Sequence, residues 1–130
     1  MASFTDYTEA KVLDHVVGKT SWTMPSVWVA LFTAAPSDTG GGTEATGGSY
    51  ARKSTAGGDW TAASAGATSN AAAITFVTPT GSWGTITHFA LMDASTAGNM
   101  LAWAPLTTPQ AVGTENTVRF LIGDLDITLS

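Results

Sequence analysis

The sequence predicts a mainly β protein: an antiparallel β-sandwich or barrel with one N-terminal α-helix and two long loops rich in Gly, Ala, Ser and Thr. Short runs of β-branched and aromatic residues, separated by turn-forming residues, are typical of strands. The strand–helix alternation of nucleotide-binding folds is absent. The chain's 130 residues suit a single domain. We expect this domain to span residues 1–130, with a helix at about 3–18 and a β domain at about 26–130.

Composition excludes several classes of function. Ala, Gly, Ser and Thr make up 68 of the 130 residues, and only 12% of the residues are charged. A net charge of −5 offers no basic surface for nucleic acid. The sequence has no cysteine, so it forms neither a disulfide nor a thiolate metal site. Neither a long apolar span nor a secretion signal is present, so we expect a soluble, unprocessed chain that binds no membrane.

The segment 3–18 has the apolar spacing of an amphipathic helix. Its apolar residues recur on one face, which we expect to be buried: Tyr7, Ala10, Leu13 and Val17. The opposite face should be exposed: Asp6, Glu9, Lys11 and Asp14. Ser3 followed by Asp6 is a weak capping box, and Thr5 is the alternative N-cap. Gly18 predicts the end of the helix.

The region after the helix combines one strong strand with two long loops. The run 26–33 is apolar on both alternating faces, which is typical of a strand covered on both sides. The Gly-rich stretch 34–49 predicts a loop, 49–54 a brief strand, and 55–69 a second loop with Trp60 as its single aromatic residue. Long loops in compact domains are usually functional or ordered by a partner.

The second half of the chain predicts further strands. We expect a strand at 71–77, and a β-hairpin of 85–93 and 100–106 joined by the polar segment 93–99. Strict alternation in the first hairpin strand places one set of side chains on one face: Ile86, His88, Ala90 and Met92. Pro105 excludes a fully paired interior position at that point of the second strand.

The last two predicted strands are 116–122 and 124–130. Alternation places Val118, Phe120 and Ile122 on one face of the first. In the second it directs Leu125, Ile127 and Leu129 inward, with Asp124 and Asp126 outward. We therefore expect the last residues of the sequence to form a strand.

The sequence offers no recognisable catalytic, cofactor-binding or metal site. Its two histidines stand in no catalytic motif: we expect His15 to interact with the terminal helix carbonyls and His88 to pack within its strand. Asp124 and Asp126 are the one close pair of acids, on an exposed strand face. The glycine runs 40–42 and 47–48 lack the GK[ST] of a phosphate loop. We therefore expect no enzyme.

Aromatic and polar residues in the loop regions are the candidate contacts with other subunits. Trp28, Trp83 and Trp103 fit core positions in or beside strands. Trp60 is either a staple that holds its loop against the sheet, which we favour, or an anchor inserted into a partner. The predicted assembly contacts are Asp38, Glu44, Tyr50 and Trp60.

The sequence resembles a widespread family of small structural proteins of tailed bacteriophages. The resemblance covers nearly the whole chain and is carried by KVLDHVVG (11–18), ALFTAAP (30–36), GGSYAR (47–52) and WGTITHFALMDA (83–94). Proteins of this kind are described as tail-fibre-like or as head decoration and cement proteins. The resemblance implies a component of the virion and carries over no catalytic residue.

Two structural roles follow from this resemblance. Our first expectation is a capsid decoration or cement protein on the outer capsid surface, which binds the major capsid protein and copies of itself, as a trimer. The expected contacts are loops 34–49 and 55–69, with the N-terminal helix as a further candidate. Assembly offsets the entropy of ordering such loops, about 1 to 2 kcal/mol per residue. The alternative is a tail, tail-tip or tail-fibre component, and host glycan is a partner only under this alternative. A carbohydrate-cleaving virion enzyme is a third hypothesis, weakened by the lack of a catalytic carboxylate pair.

Overall fold

The computed structural model describes residues 2–129; Met1 and Ser130, the ends of the predicted domain, lie outside the described residues. One α-helix, α1, spans Asp6–Val16, and a short 3-10 helix spans Gly57–Asp59. The strands are β1 (Ala2–Phe4), β2 (Val27–Ala34), β3 (Thr43–Glu44), β4 (Lys53–Thr55), β5 (Ala67–Ser69), β6 (Ile74–Thr75), β7 (Gly84–Met92), β8 (Met100–Val112), β9 (Arg119–Phe120) and β10 (Asp126–Thr128).

The main sheet has eight strands in the order β3-β2-β7-β8-β1-β10-β5, and β4 also pairs with β2. All of its pairings are antiparallel except that of β1 with β10. β6 and β9 form a separate two-stranded sheet. The predicted fold class is confirmed: the protein is mainly β and antiparallel, with one helix near the N-terminus. The main sheet does not close into a barrel.

The helix is shorter than the predicted segment 3–18. Ala2–Phe4 is a strand, because it pairs with β8 on one side and β10 on the other. Helix α1 therefore begins after Thr5, whose hydroxyl accepts a hydrogen bond from the Thr8 amide. The alternative N-cap, Thr5, is thus confirmed, and the capping box at Ser3 is wrong.

The predicted burial of the apolar helix face is wrong for most of its residues. Thr8 is the only buried residue of α1, whereas Leu13 is 63% exposed and Val17, the C-cap residue, 74% exposed. Tyr7 is half-buried against the main cluster, and Asp6, Glu9 and Asp14 are exposed as predicted. The Thr5 hydroxyl donates to the carbonyl of Met100 (2.6 Å), and the Thr8 hydroxyl to that of Leu101 (2.8 Å). These bonds hold the N-terminus of α1, and the helix face that carries Thr8, against β8. Ala10, Leu13 and Val17 consequently face water.

Strand β2 confirms the prediction of a strand covered on both sides. Val29 and Leu31 lie in the main hydrophobic cluster, and Ala30 and Phe32 in a second cluster on the other face of the sheet. The main cluster also contains Ile74 and Phe120 from the small sheet, so that sheet covers one face of the main sheet.

The predicted hairpin is present as β7 and β8, but the strict alternation in β7 is wrong. His88 pairs with Pro105 and Ile86 with Gln110, so β8 carries extra residues at a bulge opposite Thr87. The bulge turns Ile86 into the main cluster, while Ala90 and Met92 lie in the second. The pairs of β1 with β8 involve only residues 102 and 103, so Pro105 lies beyond β1, as predicted.

The remaining strands are shorter than predicted. The segment 71–77 forms only β6, and 116–122 forms only β9. Ile122 is 69% exposed because the chain turns there: the Asp124 carboxylate accepts a hydrogen bond from the Leu121 amide (2.8 Å). In the last strand, Leu125 and Ile127 are buried as predicted, whereas Leu129 is 57% exposed.

The two predicted loops contain short pairing segments. The first includes β3, which pairs with β2, and the second includes β5, which pairs with β10. The glycines at 47–48 have a packing role. A Cβ atom at Gly47 would collide with the backbone oxygen of Ser82, and one at Gly48 with the amide of Gly81. Glycine there lets the loop lie directly on the turn before β7.

Replacing Thr8 with Val tests the anchor of the helix. The variant keeps the shape of the side chain but removes the donor to the Leu101 carbonyl. We expect the free energy of unfolding to fall by about 1 kcal/mol. Urea denaturation measures this change, with Thr96→Val, an exposed site, as the control. Equal stabilities of the two variants would show that the hydroxyl does not hold α1.

Candidate functional site

A cleft of about 470 Å³ opens beside the N-terminus of α1. Its floor is apolar and consists of Phe32, Met92 and Met100, which belong to the second hydrophobic cluster. The Gly-rich segment 38–42 forms one part of its wall, and the hairpin connection 97–99 forms another. The cleft therefore lies where three loop regions meet one face of the sheet.

A bidentate ion pair between Arg52 and Glu44 forms the inner wall of this cleft. Arg52 donates from Nε to Glu44 Oε2 and from Nη2 to Glu44 Oε1, both at 2.8 Å. The Arg52 side chain is 6% and the Glu44 side chain 26% exposed. Such a planar pair orients both groups because it fixes two bonds at once. It ties β3 to the segment just before β4.

Arg52 also holds the hairpin connection. Its Nη1 donates to the backbone carbonyls of Ala94 and Ala97, each at 2.8 Å. Asp93 closes the same connection by accepting hydrogen bonds from the Asn99 amide (2.7 Å) and side chain (3.0 Å). One guanidinium thus joins two segments that are far apart in the sequence.

Tyr50 links this ion pair to the main sheet. Its hydroxyl donates to Glu44 Oε2 (2.8 Å) and accepts from the Leu31 amide in β2 (3.0 Å). Its ring packs edge-on against Trp83, with ring centroids 5.1 Å apart. Glu44, Tyr50 and Arg52 therefore form one network that extends from the core to the cleft.

The network shifts the pKa of each member. Partial burial raises the pKa of Glu44, but hydrogen bonds from Arg52 and Tyr50, with the Arg52 charge, outweigh it and lower the pKa below its ordinary value. The hydrogen bond to Glu44 raises the pKa of Arg52. Burial, together with the Glu44 carboxylate, raises the pKa of Tyr50. At neutral pH the pair is charged and the phenol neutral.

The mouth of the cleft is acidic. The Asp38 backbone oxygen accepts a hydrogen bond from the Asp6 amide (2.9 Å), which brings the segment 38–42 to the first turn of α1. Asp38 Oδ1 accepts from the Trp103 indole (3.2 Å). Asp6 and Asp38 are both exposed and line the cleft, and the Arg52 guanidinium is already bonded to Glu44. This arrangement suits a cationic or hydroxyl-rich group better than an anion.

A second groove, of about 810 Å³, lies between the second half of β8 and the segment 116–126. Its apolar wall includes Phe89, Leu106 and Phe120. Pro105 lines the groove, and Pro105 and Pro109, both in β8, lack amide donors. The prolines disfavour the addition of a further strand at this edge.

The structure brings together some of the predicted assembly contacts. Asp38 and Glu44 line the cleft, and Tyr50 lies behind Glu44. Trp60 lies elsewhere: its indole donates to the Thr55 hydroxyl (3.0 Å), and its ring packs against the main cluster. This is the geometry of a staple for its loop. A contact of any of the four with another subunit stays a prediction.

Sequence reasoning missed Arg52, which makes more polar contacts than any of those four residues. Its spacing from Tyr50 places both on one side of an extended segment, and that was the available signal. The carbonyls that it binds belong to a hairpin connection more than forty residues away. No local pattern indicates such a pairing.

The histidines stand apart from the cleft. The interaction predicted for His15 is wrong: its Nδ1 accepts a hydrogen bond from the Trp22 amide (3.1 Å), so it fastens the returning chain to the helix. His88 packs within the sheet as predicted, 5.9 Å from Trp103 between ring centroids, and its Nδ1 is 2.7 Å from the Thr87 hydroxyl.

Residues 2–129 contain no group of three or more His, Cys, Asp or Glu side chains that could hold a metal ion. Within the same range, no helix is long and apolar enough to cross a membrane.

The fold and the cleft define a class: a β-rich structural domain whose polar side chains mainly hold its own segments in place. Residues 3–128 match the family model described as podophage GP4 fiber I protein gp80. Because the match covers nearly the whole chain, the chain belongs to this family of phage structural proteins. Among curated proteins, none matches it significantly.

Replacing Arg52 with Lys tests the network. Lysine keeps the charge but lacks the planar fork, so it does not reproduce both bonds to Glu44 and both carbonyl contacts. We expect a loss of about 2 kcal/mol in the free energy of unfolding. Amides of the connection 93–99 should also exchange hydrogen faster.

Urea denaturation and hydrogen exchange measure these effects. Lys53→Gln is the matched control, because it removes an exposed neighbouring cation. A loss below about 0.5 kcal/mol in Arg52→Lys, the level of ordinary surface substitutions, would contradict the role given to the fork.

The lowered pKa of Glu44 predicts a dependence of stability on pH. A carboxyl whose pKa is lower in the folded than in the unfolded state stabilises the fold above the unfolded value. That contribution is lost as the pH falls, so the free energy of unfolding should decrease from about pH 5 to about pH 3. The decrease should be smaller in Glu44→Gln.

Glu115→Gln, a substitution of an exposed residue, is the control for this pH series. It should follow the wild-type curve. Denaturant titrations at each pH supply the measurement, and parallel curves for wild type and Glu44→Gln would exclude the proposed linkage.

Proposed function

We propose that this chain is a structural component of the tail fibre of a podophage virion. The observation that carries the proposal is the family match over residues 3–128, since that family is described as a fiber protein. We further propose that its role is mechanical and that it catalyses no reaction. This agrees with the Glu44–Arg52 pair, whose hydrogen-bonding groups are used to connect segments of the chain.

The fibre proposal replaces capsid decoration as our first choice. Capsid decoration follows from the sequence only if loops 34–49 and 55–69 need partners to order them. Both loops are held by bonds within the chain, such as the Ala45 amide to the Leu31 carbonyl (2.8 Å) and the Thr61 amide to the Ser69 carbonyl (2.8 Å). The need for a capsid surface is therefore weaker, and the family description favours a fibre.

The cleft is the surface that we propose for contact with a neighbouring fibre subunit or with host glycan. Asp6 and Asp38 are exposed at its rim, and its floor is apolar. Of the predicted assembly contacts, Asp38 has the exposure that a direct contact needs. Glu44 and Tyr50 would act by holding the wall in shape, and Trp60 by supporting the loop 55–69.

The number of copies per virion tests the fibre proposal. Quantitative mass spectrometry of purified particles, with the major capsid protein as internal standard, should give tens of copies or fewer. Gold-labelled antibody should bind at the tail in electron micrographs. Hundreds of copies per particle, with label over the head, would establish the capsid decoration role and overturn the fibre proposal.

A further inference from the structure

The exposed stripe of α1 is an apolar surface without a partner within residues 2–129. Leu13 is 63%, Val16 73% and Val17 74% exposed. Residues three and four positions apart share one helix face, so these side chains form a continuous patch, extended by the exposed Ala10. Contiguous apolar patches on soluble proteins usually mark interaction sites.

The stripe cannot turn inward. The opposite face of α1 is fixed by the Thr5 and Thr8 hydroxyls on β8. One flank is fixed by Tyr7, which packs edge-on against Trp22 at 6.5 Å between ring centroids. Within residues 2–129, no segment covers Leu13, Val16 and Val17, which leaves this surface open to a second molecule.

The charges around the stripe indicate which molecule fits. Asp6 and Glu9 lie in the first turn, and Lys19 follows the helix end, where its amide bonds to the Asp14 carbonyl (2.8 Å). The Lys11 ammonium is directed elsewhere, 5.5 Å from the centre of the Tyr7 ring. The helix is thus acidic at its N-terminal end and carries a free-standing cation beyond its C-terminal end.

A second copy of the same helix is complementary when it runs antiparallel. The acidic end of each helix then lies beside Lys19 of the other, and the two helix dipoles oppose one another. In a parallel pair, like charges would meet at both ends. Asp14, on one flank of the stripe, remains in water at the rim of an antiparallel pair.

We propose that two copies of this chain associate through α1 as an antiparallel, two-fold pair with Leu13 near the axis. The contact repeats the same surface on both partners. A helix of 11 residues offers less than the roughly 800 Å² per partner of a standard interface. The pair is therefore weak in solution and is strengthened when several copies are held together in a particle.

This inference does not depend on where in the virion the chain lies. A two-fold pair does not by itself form the predicted trimer, which would require a second, different surface.

Sedimentation velocity of the purified chain up to millimolar concentration tests the pair. Wild type should show concentration-dependent dimerisation, and Leu13→Asp should lower the association constant at least tenfold. The matched control is Ile122→Asp, which also places a carboxylate at an exposed apolar residue, between β9 and β10, and should associate like wild type. Circular dichroism checks that each variant is folded.

A charge exchange tests the antiparallel arrangement. Glu9→Lys and Lys19→Glu should each weaken dimerisation about threefold or more, and the double variant should recover it, because the exchanged charges again face each other. A wild type that stays monomeric at millimolar concentration overturns the proposal. So does a double variant without recovery, or a monomer that uses α1 to bind a different virion protein.

Discussion

The cleft depends on the bonds that one buried guanidinium makes. Arg52 binds both oxygens of Glu44 and two carbonyls of the hairpin connection, while Tyr50 passes the network on to the amide of Leu31. Removing one partner from such a pair leaves an uncompensated charge, which costs more than the pair itself contributes. The positions of the inner wall and of the hairpin connection therefore depend on this cation.

Hydroxyl groups also connect separate segments of this chain, which has few charged residues. Thr5 and Thr8 bind the carbonyls of Met100 and Leu101, and Trp60 is held by the hydroxyl of Thr55. Within residues 2–129, no buried side-chain nitrogen or oxygen is left without a hydrogen-bond partner. A chain with so many small polar residues can thus order its long loops internally, which agrees with a structural role in a phage particle.

Local patterns predicted the central elements well. Strand β2 and the β7–β8 hairpin follow from apolar runs and a polar connection, and the position of Pro105 follows from its missing amide. The same patterns gave wrong predictions where contacts with residues far away in the sequence determine the local structure. The bulge in β8 opposite Thr87 interrupts the alternation of β7, and the turn at Asp124 ends β9 at Phe120; alternation alone reveals neither. Of the residues that form the candidate site, the sequence indicated Asp38 and Glu44. It did not indicate Arg52, the cation that joins Glu44 to the hairpin connection.

The sequence by itself determined the fold class, the family and the existence of an amphipathic N-terminal helix, because each is encoded in local composition or in motifs of adjacent residues. Only the tertiary structure decided which face of that helix is buried and which residues form the cleft. Both outcomes rest on hydrogen bonds between groups far apart in the chain: Thr8 with Leu101, and Arg52 with Ala94 and Ala97. The apolar stripe of α1 is encoded locally, but its exposure is set by the competing polar bonds of the opposite face.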